Sequence, residues 1–287
     1  MNNIDNPRIL AIHDLSAFGN TSLMAVIPIM YHYGISVCAL PSVILSTSTM
    51  YEGAQKIETT EKLSAFGAHW KSLDISFSAI YTGFLDSPGQ VDPILSIIED
   101  FSGGLVLVDP VLADDGELYS CYEESMIPAM QRLVSKASLI TPNYTEACLL
   151  TGTEYQTDPE KIDISALCHK LADLGARQIV ITSIPARETD NKTRQSQVVY
   201  YDSGLNRQKS YPCKYIPCFF PGTGDIFSSV LLAEHINGKD IEAAIQPAID
   251  FVQEAILLTL SLPHRMEDGV LLEKLLTARQ GRISRQP

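Results

Sequence analysis

The feature that most constrains this chain is an alternation, from Arg8 to Thr182, of short apolar runs with stretches whose apolar residues recur at helical spacing. Arg8–His13 (RILAIH) predicts a strand, Thr21–Tyr33 a helix stopped by Gly34, and Ile35–Leu40 a second strand. Helices are expected over Glu58–Leu73, Val91–Phe101, Ser125–Lys136 and Ile164–Leu174, the last ended by Gly175. Strands are expected at Ala79–Phe84, Leu105–Asp109 (LVLVD), Ser138–Thr141 and Gln178–Thr182 (QIVIT). Such strands are apolar on both faces, so each needs cover on both sides. With helices between them, the pattern calls for a mostly parallel sheet layered by helices. Pro185–Lys214 departs from this. It is polar, with antiparallel edge strands expected at Gln197–Tyr201 and Arg207–Tyr211 and a solvated tip at Lys192–Gln195. Three helical segments follow from Asp225, the last being Asp268–Arg279. No internal repeat, low-complexity tract or linker divides the chain, so one α/β domain over residues 1–287 is expected.

The net charge of −13 excludes broad electrostatic binding to nucleic acid or to an anionic membrane, though a few local donors can still hold an anion. No apolar run reaches the roughly 18 to 20 residues that span a bilayer. Met1–Arg8 lacks the basic-then-apolar pattern of a signal peptide, and a cytoplasmic protein is expected. The six cysteines (Cys38, Cys121, Cys148, Cys168, Cys213 and Cys218) form no Cys-x-x-Cys pair, which argues for free buried thiols rather than zinc or disulfides.

In a parallel sheet, ligands gather beyond the carboxyl ends of the strands. His13-Asp14, Asp109-Pro110, Thr141-Pro142-Asn143 and Thr182-Ser183 all fall there. The strongest local signal lies later: Pro221-Gly222-Thr223-Gly224-Asp225 ahead of the apolar stretch Ile226–His235. Glycines let backbone N–H groups converge, and the following helix turns its unpaired N–H groups and positive dipole end toward the loop, which makes an anion site. A carboxylate beside such a site can take a proton from an attacking hydroxyl. The plain alternative is that Asp225 caps a helix. The loop has no Gly-Lys-Ser/Thr of a Walker A motif and is not a dinucleotide fingerprint.

Gly222-Thr223-Gly224-Asp225 with its apolar helix resembles the motif of the ribokinase-like kinases. The resemblance implies a three-layer sandwich with a mostly parallel central sheet, helices on both faces and antiparallel edge strands. It also implies an anion hole from Gly222, Thr223 and Gly224, with Asp225 as the base acting on a hydroxymethyl group. Asp109-Pro110-Val111 and Thr141-Pro142-Asn143-Tyr144-Thr145-Glu146 resemble two further motifs of that family. They imply that Asn143 contacts nucleotide phosphate and that Glu146 holds Mg²⁺, with Asp109 and Thr141 lining an Mg²⁺ or monovalent-cation (K⁺ or Na⁺) site. Mg²⁺ takes oxygen ligands and needs only one or two carboxylates beside phosphates. Asn143 and Glu146 equally fit a helix N-cap with its capping-box partner. Thr182 and Ser183 resemble the pair that touches ATP phosphates, with a hydrogen-bonded turn as the alternative. Phe219-Phe220 is expected as a wall beside ATP.

Over Arg8–Leu262 the chain is similar to the pyridoxal kinases within that superfamily, and no sugar-kinase lid is evident. Ile9–Asn20 and Leu40–Tyr51 carry this resemblance. Asp14 stands where many members have Ser, Ser48 replaces a common His, and Phe84 replaces a usual Tyr. Asp14, Ser16, Thr49, Phe84 and Asp225 are the expected acceptor contacts, with Asp14 facing a ring nitrogen or phenolic hydroxyl and Phe84 stacking on the ring. His13 is expected as a strand-end packing residue and Trp70 as a helix core residue. The implied activity is ATP-dependent phosphorylation of the 5′-hydroxymethyl of pyridoxal, pyridoxine or pyridoxamine, by a homodimer. The nearest rival is a hydroxymethylpyrimidine kinase, a branch that commonly has Cys where this chain has Asp225. A non-catalytic module binding a B6 vitamer or nucleotide is the rival from another class.

Overall fold

The computed structural model describes residues 6–101, 103–188 and 194–283. Met1–Asp5 and the tip residues 192 and 193 lie outside them; Arg194 and Gln195 are exposed, as a solvated tip requires. The chain forms two compact units, residues 1–57 with 218–287, and residues 58–217.

In the first unit, β1 (Arg8–Ser16) pairs in parallel with β2 (Ser36–Leu45), and short β3 (Lys56–Glu58) lies beside β2. Ile9, Leu10, Ala11 and Ile12 are all fully buried, so β1 is covered on both faces, as its continuous apolar run demands. Truncating Ile12 to Ala would cost about 2–5 kcal/mol at such a position. Among the described residues, four α-helices complete the unit: α1 (Ser22–His32), α7 (Thr223–Ile236), α8 (Ile241–Leu260) and α9 (Leu272–Ile283). α1 packs on β1 and α7, and α7 on α8. α8 corrects one expectation, since by length and composition it could cross a membrane. Its Ala244, Ile245, Ala248, Ile249, Phe251 and Ala255 are buried against protein, whereas Leu257 and Leu260 are exposed.

The second unit carries the strand order β11-β10-β9-β8-β5-β4. β4 (Ala79–Thr82), β5 (Leu105–Val108), β8 (Leu139–Ile140) and β9 (Gln178–Glu188) run parallel. β10 (Arg194–Asp202) and β11 (Arg207–Lys214) add antiparallel pairs at the edge, as their polar sequence predicts. The helices are α2 (Thr60–Ser72), α3 (Val91–Asp100), α4 (Met126–Val134), α5 (Tyr144–Thr151) and α6 (Ile164–Asp173). Trp70 on α2 meets Phe66 and Phe77 edge to face. A two-stranded hairpin, β6 (Ala113–Asp114) and β7 (Glu117–Leu118), follows β5.

Two strand ends differ from expectation. β1 continues past His13 to Ser16, so His13 sits within the strand. β9 runs through Thr182-Ser183 to Glu188 rather than stopping there. Ile181 pairs with Val199 and Ile184 with Gln197, so Thr182 and Ser183 together oppose Val198. Ser183 has φ 54°. This is a bulge, which bends the strand and re-aims its side chains at that point. None of the six cysteines is joined in a disulfide; Cys148 and Cys168 are buried and Cys121 is exposed.

Candidate active site

The glycine loop and Asp225 belong to the first unit. Gly222 takes φ 83° as the N-cap of α7. A Cβ there would lie 2.5 Å from the Asn20 carbonyl oxygen, so left-handed backbone and close approach both require glycine. Gly224 differs: a Cβ on it would meet open space. The Thr223 hydroxyl donates to the Phe220 carbonyl at 3.1 Å, closing the loop. Phe220 is buried, while Phe219 is 45% exposed.

Asp225 falls in the first turn of α7, where the dipole favours negative charge. Its Oδ2 accepts the backbone N–H of Ser22 at 2.8 Å, and its Oδ1 lies 3.7 Å from His13 Nδ1. Burial pushes the His13 imidazole down to about 3, so it stands neutral beside the carboxylate.

Asp14 is also buried. Burial raises its pKa, opposed by hydrogen bonds from the Ser22 and Ser16 side chains and from its own backbone. The Ser16 hydroxyl donates to Asp14 Oδ2 at 2.7 Å, so Ser16 serves the carboxylate directly. Thr49 is exposed on the loop after β2, and Ser48 is buried there with no hydrogen-bond partner for its hydroxyl. That loop is fixed by the Tyr51 hydroxyl, which donates to Asp268, and by Phe18 set edge-on to Tyr51 at 6.0 Å. Asn20 ties the neighbouring loop down, its N–H donating to the Asp268 carbonyl and its side-chain amide to the Val270 carbonyl. Sequence reasoning missed Asn20, Ser22, Tyr51 and Asp268, because their partners are remote in the chain.

The second unit holds the other candidates. Asn143 caps α5: its side chain accepts the Glu146 N–H at 2.8 Å, and Glu146 Oε2 accepts the Asn143 N–H at 2.8 Å. The capping box therefore forms. Asn143 Nδ2 also donates to the Ala113 carbonyl, and Glu146 Oε1 accepts the Leu112 N–H at 3.1 Å. Glu146 is raised well above the usual carboxylate range, first by burial, then by the Asp109 charge; backbone bonds from Asn143 and Leu112 oppose this, and Asp114 adds to the rise. Asp109 and Thr141 are buried at the ends of β5 and β8. Two buried carboxylates whose charges oppose each other suit a cation, and one or two carboxylates are what Mg²⁺ beside phosphates requires. Among the described residues no cluster of three or more His, Cys, Asp or Glu forms a protein-only metal cage. Thr182 donates its N–H to the Pro142 carbonyl at 3.0 Å, so the β9 bulge lies beside the Asn143 turn. Phe84 is buried and stacks on Tyr122 at 5.4 Å between centroids, and the Tyr122 hydroxyl donates to the Leu85 carbonyl. Phe84 thus has an aromatic partner already, one the sequence reading did not supply.

The model for phosphomethylpyrimidine kinase matches residues 29–268. The chain belongs to the phosphomethylpyrimidine kinase family, among the ribokinase-like kinases. A crystal structure from Bacteroides thetaiotaomicron, provisionally named a phosphomethylpyrimidine kinase and containing pyridoxal, is 36% identical; it superposes with a TM-score of 0.88 and 96% of each chain covered. Pyridoxal kinase from Lactobacillus plantarum is 28% identical, with a TM-score of 0.87 and coverage of 97% of this chain and 98% of that one. Pyridoxal kinase of Dictyostelium discoideum is 27% identical over 263 residues, covering 87% of this chain and 85% of the relative. Similarity along the whole chain carries the expected α/β fold class and the kinship with pyridoxal kinases. The family's name points to a pyrimidine, whereas the pyridoxal in the Bacteroides crystal and the names of the other two point to vitamin B6.

Proposed function

We propose that the chain transfers the γ-phosphoryl group of ATP to the 5′-hydroxymethyl of a B6 vitamer: pyridoxal, pyridoxine or pyridoxamine. The observation that carries this reading is the Asp225 carboxylate, fixed by the Ser22 N–H in the first turn of the helix behind the glycine loop. A carboxylate so placed can take the proton of the attacking hydroxyl. The N–H groups of Gly222, Thr223 and Gly224 then offset the charge on the transferring group. Asp14, Ser16 and Thr49 would contact the acceptor, with Asp14 recognising a ring nitrogen or phenolic hydroxyl and Phe84 contributing an aromatic surface. Asn143, Thr182, Ser183 and Phe220 would contact ATP.

Glu146, with Asp109 and Thr141, would hold Mg²⁺, and a K⁺ or Na⁺ ion fits the same chemistry. Mg²⁺, when bound, neutralises phosphate charge. A cytoplasmic homodimer belongs to the same proposal.

The second reading is a hydroxymethylpyrimidine kinase, favoured by the family model's name. Asp225 in place of the Cys common in that branch speaks against it. A purely binding module is disfavoured because Asp225, Asn143 and Glu146 occur together.

The test is ADP release with Mg-ATP and, in turn, pyridoxal, pyridoxine, pyridoxamine and hydroxymethylpyrimidine, with product mass checked. Activity on a B6 vitamer that falls at least about 10³-fold in Asp225→Asn supports the reading. Turnover of hydroxymethylpyrimidine alone overturns the substrate, and saturable binding with no ADP overturns the enzyme.

A further inference from the structure

We propose that Asp268 is a positioning residue that pins two loops at once: the loop after β2 that carries Thr49, and the turn between β1 and α1 against which the glycine loop packs. The inference rests on the kinase reading given above, which makes Thr49 an acceptor contact and the glycine loop the phosphoryl site. The loop after β2 is closed at its neck, where the Ser46 N–H donates to the Gln55 carbonyl and the Gln55 N–H to the Ser46 hydroxyl, both at 2.9 Å. Nearer the tip, the Tyr51 N–H donates to the Ser48 carbonyl at 3.2 Å, so Thr49 lies inside a turn that ends at Tyr51. The Tyr51 hydroxyl then donates to the Asp268 carboxylate, which anchors that turn to a segment remote in sequence. The Asp268 backbone carbonyl accepts the Asn20 N–H at 3.0 Å, and the Val270 carbonyl accepts the Asn20 side-chain amide at 2.9 Å. Gly269, between these two carbonyls, takes φ 80° and ψ −166°, a region essentially closed to other residues. A Cβ on it would lie 3.2 Å from the carbonyl oxygens of both Asn20 and Pro221, and its own carbonyl accepts from His264 Nε2 at 2.7 Å. The Asn20 carbonyl in turn abuts Gly222. Contacts thus run without a break from the Thr49 turn, through Asp268 and Asn20, to the first residue of the proposed anion hole.

The two arms can be tested separately in the full-length chain. Tyr51→Phe removes one hydroxyl and keeps the ring against Phe18. With Mg-ATP and the best acceptor it is expected to raise the acceptor KM about fivefold, with kcat within about twofold and the KM for ATP unchanged. Asp268→Ala should give the same rise, and the double variant no more than either alone, because both remove one bond. Asp268→Asn keeps an oxygen for the Tyr51 hydroxyl and should restore the acceptor KM to within about twofold of the parent. Asn20→Ala loosens the other arm, and the shift of the glycine loop should lower kcat about fivefold with a smaller effect on the acceptor KM. Effects of Tyr51→Phe and Asp268→Ala that multiply in the double variant overturn the inference, as does an Asn20→Ala variant with the parent's kcat. Hydrogen exchange without any ligand separates this failure from that of the kinase reading. Amides of residues 47–54 should exchange about tenfold faster in Tyr51→Phe than in the parent. Unchanged exchange sinks the role of Asp268, whatever the turnover. A parent that releases no ADP with any acceptor sinks the kinase reading, whatever the exchange.

Discussion

His13 Nδ1 stands 3.7 Å from Asp225 Oδ1, with the imidazole wholly buried. Burial holds the ring down to about 3 from its ordinary 6.5, so at neutral pH a neutral ring abuts the carboxylate. In the unfolded chain the same ring takes a proton near pH 6.5. The contribution to stability is therefore complete above about 6.5 and is lost as the pH falls toward 3. Urea unfolding between pH 6.5 and 4 should show stability falling with acid, His13 supplying up to about 1.4 kcal/mol per pH unit. His13→Asn should flatten that slope. An unchanged slope would mean that the ring is protonated in the folded protein.

The two loop glycines should respond differently to the same change. Gly222→Ala sets a Cβ 2.5 Å from the Asn20 carbonyl at φ 83°, so it should lower Tm by several degrees and cost activity with it. Gly224→Ala meets open space, so Tm should hold within a few degrees. If the space over Gly224 is where the phosphoryl group travels, kcat should nevertheless fall by about tenfold or more. Full activity in Gly224→Ala would remove that amide from the proposed anion hole.

Glu146 and Asp109 oppose each other in a buried setting, and Glu146 is raised well above its ordinary value. A raised carboxylate is easiest to bury when protonated, so its contribution to stability is present below about pH 4.5 and is lost as the pH rises through the higher folded value. A divalent cation should offset that loss. Adding millimolar Mg²⁺ at pH 7.5 should raise Tm, the increment should shrink near pH 5, and Glu146→Gln should abolish it. A Tm indifferent to Mg²⁺ at both pH values would argue that nucleotide must bring the metal in.

The parallel strands were legible because each apolar run is covered on both faces, and the edge strands because they turn polar. Gly222-Thr223-Gly224-Asp225 was legible because a loop and a helix start are local in sequence. What connects the candidates was not. Ser22 and Asp225 are 203 residues apart, and Tyr51 and Asp268 are 217 apart, with no local periodicity to link them. β1 reaches Ser16 through two polar residues that break the apolar run; Asp14 and Ser16 tolerate burial because they bond each other. The bulge at Ser183 leaves no compositional trace. The β6–β7 hairpin did leave one: Asp115-Gly116, at φ 49° and 87°, is a turn pair that short hairpins favour. It was readable and was missed. Its Ala113 carbonyl receives Asn143 Nδ2, so the omission also hid half of what holds Asn143 in place.

Asn143 offers the sharpest separation of a structural role from a chemical one. Its carbonyl oxygen is committed to the Glu146 N–H, and one Nδ2 proton to the Ala113 carbonyl. The second Nδ2 proton is what a nucleotide phosphate would take. Asn143→Ser preserves an N-cap acceptor, so α5 should lose well under the about 1 kcal/mol that Asn143→Ala costs. If capping were the whole role, Asn143→Ser would keep its kinetic constants and Asn143→Ala would lose activity only in step with stability. If the amide also meets phosphate, Asn143→Ser should raise the KM for ATP by about tenfold while leaving Tm and the acceptor KM near those of the parent. Steady-state kinetics of both variants, paired with thermal melts, decides between the two, because only a phosphate contact moves the ATP constant without moving stability.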